Sequence, residues 1–214
     1  MNETVLYDYF RSSAAYRLRI GLGLLGLDWR AVPVNLQTGE HKAAANLARN
    51  PQGLVPTLEI DGLTFTQSLA ILEYLDETRG AGWLPEDPAG RARVRALAYV
   101  IAMEIHPVCN LSVARFAVEN SSGGITMEGW MAAFIPRGLA AFEKLLGHPA
   151  TGRFCHKERP GLADICLVPQ LYNARRWGVD LAPYPRLTDI AARLDAIPAF
   201  AAAHPDIHKP EEQP

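Results

Sequence analysis

Arg11-Ser12-Ser13-Ala14-Ala15-Tyr16-Arg17-Leu18-Arg19-Ile20 decides the fold, because two hydroxyls stand where an apolar strand gives way to a helix. Upstream, Val5-Leu6-Tyr7-Asp8-Tyr9-Phe10 has the composition of a strand. Downstream, Ala15, Leu18, Leu22 and Leu25 recur at spacings of three, four and three, which predicts a helix that buries that face and ends at Gly26. A serine at such a junction can cap the helix with its side-chain oxygen, or give its O–H to an anion lying over the first unpaired N–H groups. Position alone leaves both open.

Working outward, a second strand is expected over Trp29–Asn35 and a helical stretch from about His41 to Arg49. Val55-Pro56-Thr57-Leu58-Glu59-Ile60 then turns through Asp61-Gly62 into Leu63-Thr64-Phe65, and Asp-Gly between two short apolar runs is a strong hairpin signal. Gln67-Ser68 opens a helix to about Arg79. The order βαβαββα gives a small mixed sheet with helices on its faces.

Gly80 to Pro88 is rich in breakers and ends in an Asp cap with Pro at the first helical position. Everything beyond it is expected to be helical. One long helix runs from Pro88 past Ile105, with Pro107 bending or breaking it; others cover Thr126–Leu146, kinked at Pro136, and Leu162–Trp177. Short helices follow at Arg186–Leu194 and Pro198–Ala203, and the polar tail His208–Pro214 is expected to fray. Two domains result, 1–82 and 88–214.

Composition narrows the function. The chain has 214 residues, 49% of them hydrophobic, enough for one large or two small cores. A net charge of −2 and a pI near 6.3 leave no broad basic footprint, which argues against nucleic acid as a partner. Charges interrupt the apolar stretches before the roughly 18 residues that a membrane span needs, and the polar Met1–Thr4 leads straight into a strand, so a cytoplasmic protein with no signal peptide is expected. Cys109, Cys155 and Cys166 are odd in number and far apart, and support neither a disulfide framework nor a metal site. Of the 21 Lys and Arg residues, four are lysines, a bias suited to bidentate recognition of carboxylates.

Ser12-Ser13-x-x-Tyr16-Arg17-x-Arg19-Ile20, Asn50-Pro51, Val55-Pro56-Thr57-Leu58, Gln67-Ser68-Leu69-Ala70-Ile71 with Glu73-Tyr74-Leu75, and Ala163-Asp164-Ile165-Cys166-Leu167-Val168-Pro169-Gln170 occur in the order and spacing of one family. The chain resembles a zeta-class glutathione transferase of the maleylacetoacetate isomerase type, and the maleylpyruvate isomerases are similar enough not to separate cleanly. The resemblance implies a thioredoxin-like N-terminal domain, an all-helical C-terminal domain and a homodimer. Glutathione would be the cofactor. Ser12 would stabilise its thiolate, with Ser13 supporting; Val55, before a cis Pro56, would pair with its cysteinyl backbone as an added strand does. Gln67 and Ser68 would bind its γ-glutamyl carboxylate and His41 its glycyl carboxylate. Many zeta enzymes carry Cys after the two serines; here the residue is Ala14.

The implied reaction is cis–trans isomerisation of a maleyl-type keto diacid, a step of aromatic amino acid catabolism. Thiolate adds to the conjugated double bond, the resulting single bond rotates, and elimination returns glutathione unconsumed. Arg11 beside Ser12 is a candidate donor to the developing enolate, and Arg176 matches the family's substrate-carboxylate arginine. His106, Cys109 and Asn110 follow the bend in the first long helix and are further candidates for substrate contact, Cys109 by packing. Gly161 replaces the usual hydroxyl of the capping box closed by Asp164, a mark of the fold and not of catalysis. Two other readings stay open: a transferase or dehalogenase that conjugates glutathione to α-halo acids, and a transferase-fold binding module without catalysis.

Overall fold

A computed structural model describes residues 3–210, which divide into two compact units. The first unit holds the sheet. Val5–Asp8 (β1), Arg30–Pro33 (β2), Thr57–Ile60 (β3) and Leu63–Thr66 (β4) lie in the order β2-β1-β3-β4. β1 pairs parallel with β2 and antiparallel with β3, and β3 pairs antiparallel with β4. Central β1 is buried along its whole length, whereas edge strand β2 is mostly exposed. Asp61 and Gly62 both take positive φ, as the tight turn between β3 and β4 requires.

Ser13–Leu24 (α1) follows β1. The expected buried stripe is an underestimate, because every residue from Ser13 to Leu22 is buried while Leu25 is only partly so. The cause is packing on more than one side, against Ser68–Arg79 (α3) and against Pro198–Ala202 (α10). α10 comes so near that a Cβ on Gly23 would sit 3.3 Å from the Ala199 Cβ. Two arginines are swallowed with the helix. Arg19 is fully buried and bonds Asp8 (2.5 Å), the Phe10 carbonyl (2.9 Å) and the Ala203 carbonyl (3.1 Å). Between β2 and β3 the expected helix is split into a 3-10 turn, Glu40–Lys42, and a short helix, Ala44–Arg49 (α2).

The second unit, Gly82–Asp195, is helical: Pro88–Tyr99 (α4), His106–Val108 (α5), Leu111–Glu119 (α6), Met127–Leu145 (α7), Leu162–Arg176 (α8) and Pro185–Asp195 (α9). Asp87 caps α4 through the Gly90 N–H at 2.6 Å, and Thr126 caps α7 through the Gly129 N–H at 3.0 Å. Two features depart from the expected long first helix. Val100–Ile105 is a π-helical stretch just ahead of Pro107, and the helix continues through that proline to Val108 before a new helix, α6, begins. By length and composition, a window within Pro88–Glu119 is apolar enough to cross a membrane, although Glu104 interrupts its apolar run as expected. Residues from Ala196 pack with the first unit, so the second compact unit closes at Asp195. His208 is tied by its ring to the Ala202 carbonyl at 2.9 Å, and residues 211–214 of the expected frayed tail lie outside the described residues.

Candidate active site

The register of the sheet gathers the first set of candidates. Tyr7 pairs with Thr57 and Thr57 with Thr66, so these three residues form one row at one end of the sheet. From that row the chain leads onward to Ser12 and Ser13, back to Val55 and Pro56, and onward to Gln67 and Ser68. Parallel β2 ends beside β1 at Pro33, which sends the segment carrying His41 from the same end. Segments far apart in sequence therefore converge.

Ser12 is the N-cap of α1, accepting the Ala15 N–H at 3.2 Å. That bond orients the hydroxyl oxygen without consuming its proton. Among the described residues the Ser13 and Ala14 N–H groups, at the open end of the helix, have no acceptor. The first turn of α1 thus offers three donors, with the positive end of the helix dipole behind them. The cap and anion readings of the serine describe one arrangement.

The Val55–Pro56 bond is cis. Among the described residues the Val55 N–H and C=O enter no hydrogen bond, although β3 begins two residues later. Gln67 holds a positive φ of 69° and its amide donates to Gln52 at 2.7 Å. Ser68 opens α3 and is buried, and its oxygen accepts from the Arg17 guanidinium at 3.2 Å. His41 sits, half-buried, in the 3-10 turn, whose carbonyl is bonded by the Asn46 amide at 2.9 Å. Arg11 lays its guanidinium over the Phe10 ring, 4.7 Å from the centroid.

The remaining candidates belong to the second unit. His106 begins α5, immediately after the π-helical stretch. Cys109 is buried, and burial pushes its thiol up to about 11, so it remains protonated near neutral pH and packs as a small apolar group. Asn110 is the N-cap of α6, accepting from both the N–H and the hydroxyl of Ser112. Arg176 is the exposed last residue of α8, with its guanidinium 5.7 Å from the centre of the Trp177 ring. Asp164 closes the capping box of that helix, its carboxylate accepting the Gly161 and Cys155 N–H groups at 2.9 and 3.0 Å. Among the described residues no cluster suited to a metal ion occurs.

The burial of Arg17 beside Ser68 was not expected, since an arginine in an amphipathic pattern reads as solvated. The available signal was its place in a helix whose other residues, apart from Ser13, Tyr16 and Arg19, are Ala, Leu, Ile and Gly.

The family model described as Glutathione S-transferase, N-terminal domain, matches residues 3–77, and that described as Glutathione S-transferase, C-terminal domain, matches residues 128–201. A maleylacetoacetate isomerase of Rhizobium meliloti is 61% identical over 98% of this chain and 99% of its own. A structure described as holo maleyl pyruvate isomerase, a bacterial zeta-class glutathione transferase, superposes with a TM-score of 0.91 at 38% identity, covering 98% of this chain and 100% of that one. The maleylacetoacetate isomerase of Anaeromyxobacter dehalogenans with bound dicarboxyethyl glutathione and citrate superposes with a TM-score of 0.85 at 44% identity, covering 99% and 94% of the two chains.

Proposed function

Since the chain belongs to the glutathione S-transferase family, we propose that it is a glutathione-dependent cis–trans isomerase of a maleyl-type keto diacid, converting maleylacetoacetate to fumarylacetoacetate. The observation that carries this reading is 61% identity over nearly the whole length of a maleylacetoacetate isomerase. Similarity to the maleyl pyruvate isomerase structure favours maleylpyruvate as a second substrate of the same chemistry.

The chain's own groups suit the steps. A free thiol with a pKa near ~8.5 is only about 3% ionised at pH 7, so the site must favour the thiolate. Ser12 would donate its proton to the sulfur, with Ser13 and the first-turn N–H groups of α1 behind it. Val55 would pair with the cysteinyl backbone of glutathione, while Gln67, Ser68 and His41 would take its two carboxylates. The bound thiolate would attack the double bond of the diacid, forming a C–S bond and an enolate. Rotation about the former double bond and expulsion of the thiolate would give the trans product and return glutathione. The dicarboxyethyl glutathione held by the Anaeromyxobacter dehalogenans relative is a sulfur-alkylated glutathione of the kind such an addition makes.

Arg176 would clamp a substrate carboxylate, and Arg11 would face the enolate; His106, Cys109 and Asn110 would line the substrate's side. Arg176→Ala should raise KM for a diacid about tenfold or more, the size expected for one lost charge-assisted hydrogen bond, and an unchanged KM would remove it from this role. We read the protein as a cytoplasmic homodimer acting in aromatic amino acid catabolism, without a membrane span. Exposed Met103, Val113 and Phe116 on the apolar run of the second unit support a protein-covered surface there.

The decisive assay offers maleylacetoacetate, maleylpyruvate and dichloroacetate with and without glutathione. An isomerase turns over the maleyl substrates only when glutathione is present and leaves its concentration unchanged. Glutathione-dependent release of chloride from the halo acid, and no turnover of the maleyl compounds, would assign a dehalogenating transferase instead.

A further inference from the structure

We infer that Arg17 is a positioning residue for the γ-glutamyl end of glutathione: it fixes the Ser68 hydroxyl as an outward donor and sets a buried positive charge behind the carboxylate. The inference rests on the glutathione reading above and goes beyond it by assigning the group that makes Ser68 selective.

The observation is one hydrogen bond and its surroundings. Arg17 is 2% exposed and Ser68 6%, and the bond from Nη1 of Arg17 to Oγ of Ser68 spans 3.2 Å between α1 and α3, which pack together. A guanidinium has five N–H donors and no acceptor, so in this bond the serine oxygen can only accept. A hydroxyl carries one proton, and with its oxygen engaged by Arg17 that proton must go elsewhere. Among the described residues no acceptor takes it. What Ser68 presents at the first turn of α3 is therefore a donor, aligned with the unpaired N–H groups of that helix end.

Charge points the same way. Serine alone accepts and donates with equal ease and would bind a carboxylate or an amide. A guanidinium within hydrogen-bond distance of its oxygen, and almost fully removed from water, favours an anion at the far side of the hydroxyl. The ligand class is a carboxylate, and in glutathione the group at this helix end is the free carboxylate of the γ-glutamyl residue. Arg17 would touch the ligand only through Ser68, which separates it from residues that act on the sulfur.

The test compares glutathione with 4-aminobutyryl-cysteinyl-glycine, the same tripeptide without that carboxylate. Arg17→Met should raise Kd and KM for glutathione about 10- to 100-fold, the span expected for losing hydrogen bonding to a charged partner. It should leave kcat at saturating glutathione within about twofold and leave the Kd of the analogue unchanged, and Arg17→Lys should restore most of the glutathione affinity. A glutathione Kd within twofold of the parent, or equal loss for both ligands, overturns the inference. Should Arg17→Met fail to fold, Arg17→Gln, alone and combined with Ser68→Ala, serves the same end. If Arg17 acts through the hydroxyl, the double variant binds no worse than Ser68→Ala alone; additive losses refute it. Failure of the parent protein to bind glutathione would overturn the glutathione reading itself, a result separable from all of these.

Discussion

Replacing Ser12 by Ala should lower glutathione-dependent isomerisation by ~10²–10³-fold, the cost of removing one preorganised donor from a developing or resident anion. Steady-state turnover with saturating glutathione and diacid measures it. The loss should fall on kcat, and the pH at which activity rises should move upward, because thiolate would then have to form without the hydroxyl. Ser12 also caps α1, so the same change should cost roughly 1 kcal/mol of stability. A cap alone predicts the second effect without the first. Ser12→Gly separates the two roles, since glycine at an N-cap costs only roughly a few tenths of a kcal/mol yet carries no hydroxyl, and full activity in Ser12→Ala would end the thiolate assignment.

The second large effect is structural. Arg19→Leu should destabilise the protein by about 3–5 kcal/mol, the range for removing one partner of a buried ion pair. Asp8 would be left buried beside an apolar side chain, and the Phe10 and Ala203 carbonyls would lose their donor. Burial already raises the Asp8 carboxyl above its ordinary range, with Arg19 the chief group opposing that rise. Chemical denaturation followed by circular dichroism measures the change. Arg19→Leu with Asp8→Leu should recover part of the loss, because the pair goes but no lone charge remains. A single variant within 1 kcal/mol of the parent would show that the pair contributes little.

These two residues mark what sequence reading reaches. Local grammar carried far: the Asp61-Gly62 turn, the Asp87-Pro88 start and the strand-helix alternation up to Arg79 are written in short-range signals, and the structure has them where the spacing puts them. Non-local partners leave no such trace. Arg17 and Arg19 lie in a helix whose apolar spacing left them outside the expected buried stripe, yet both are buried because Ser68 and Ala203, 51 and 184 residues further on, supply acceptors. Pro107 was expected to bend or break the long helix. A proline removes one N–H only, and the π-helical stretch just before it is followed by continued helix, so α6 and its Asn110 cap were not anticipated. At the site, the Ser-Ser, Val-Pro and Gln-Ser pairs were each short and ambiguous. Their convergence depends on the pairing of Tyr7 with Thr57 and of Thr57 with Thr66, a register that no single motif contains.

The packing of α10 on α1 has a consequence for how this chain is born. The sheet and its first helix are synthesised before the segment that covers α1, and the whole helical unit is made in between. A ribosome must release Ala203 before Arg19 can complete its bonds, so the first unit waits, with α1 uncovered on one side, while more than a hundred residues emerge. Folding of the first unit is thus tied to synthesis of α10. Chains terminated before α10 would carry every residue of the proposed thiolate site and lack the cover that packs on its helix.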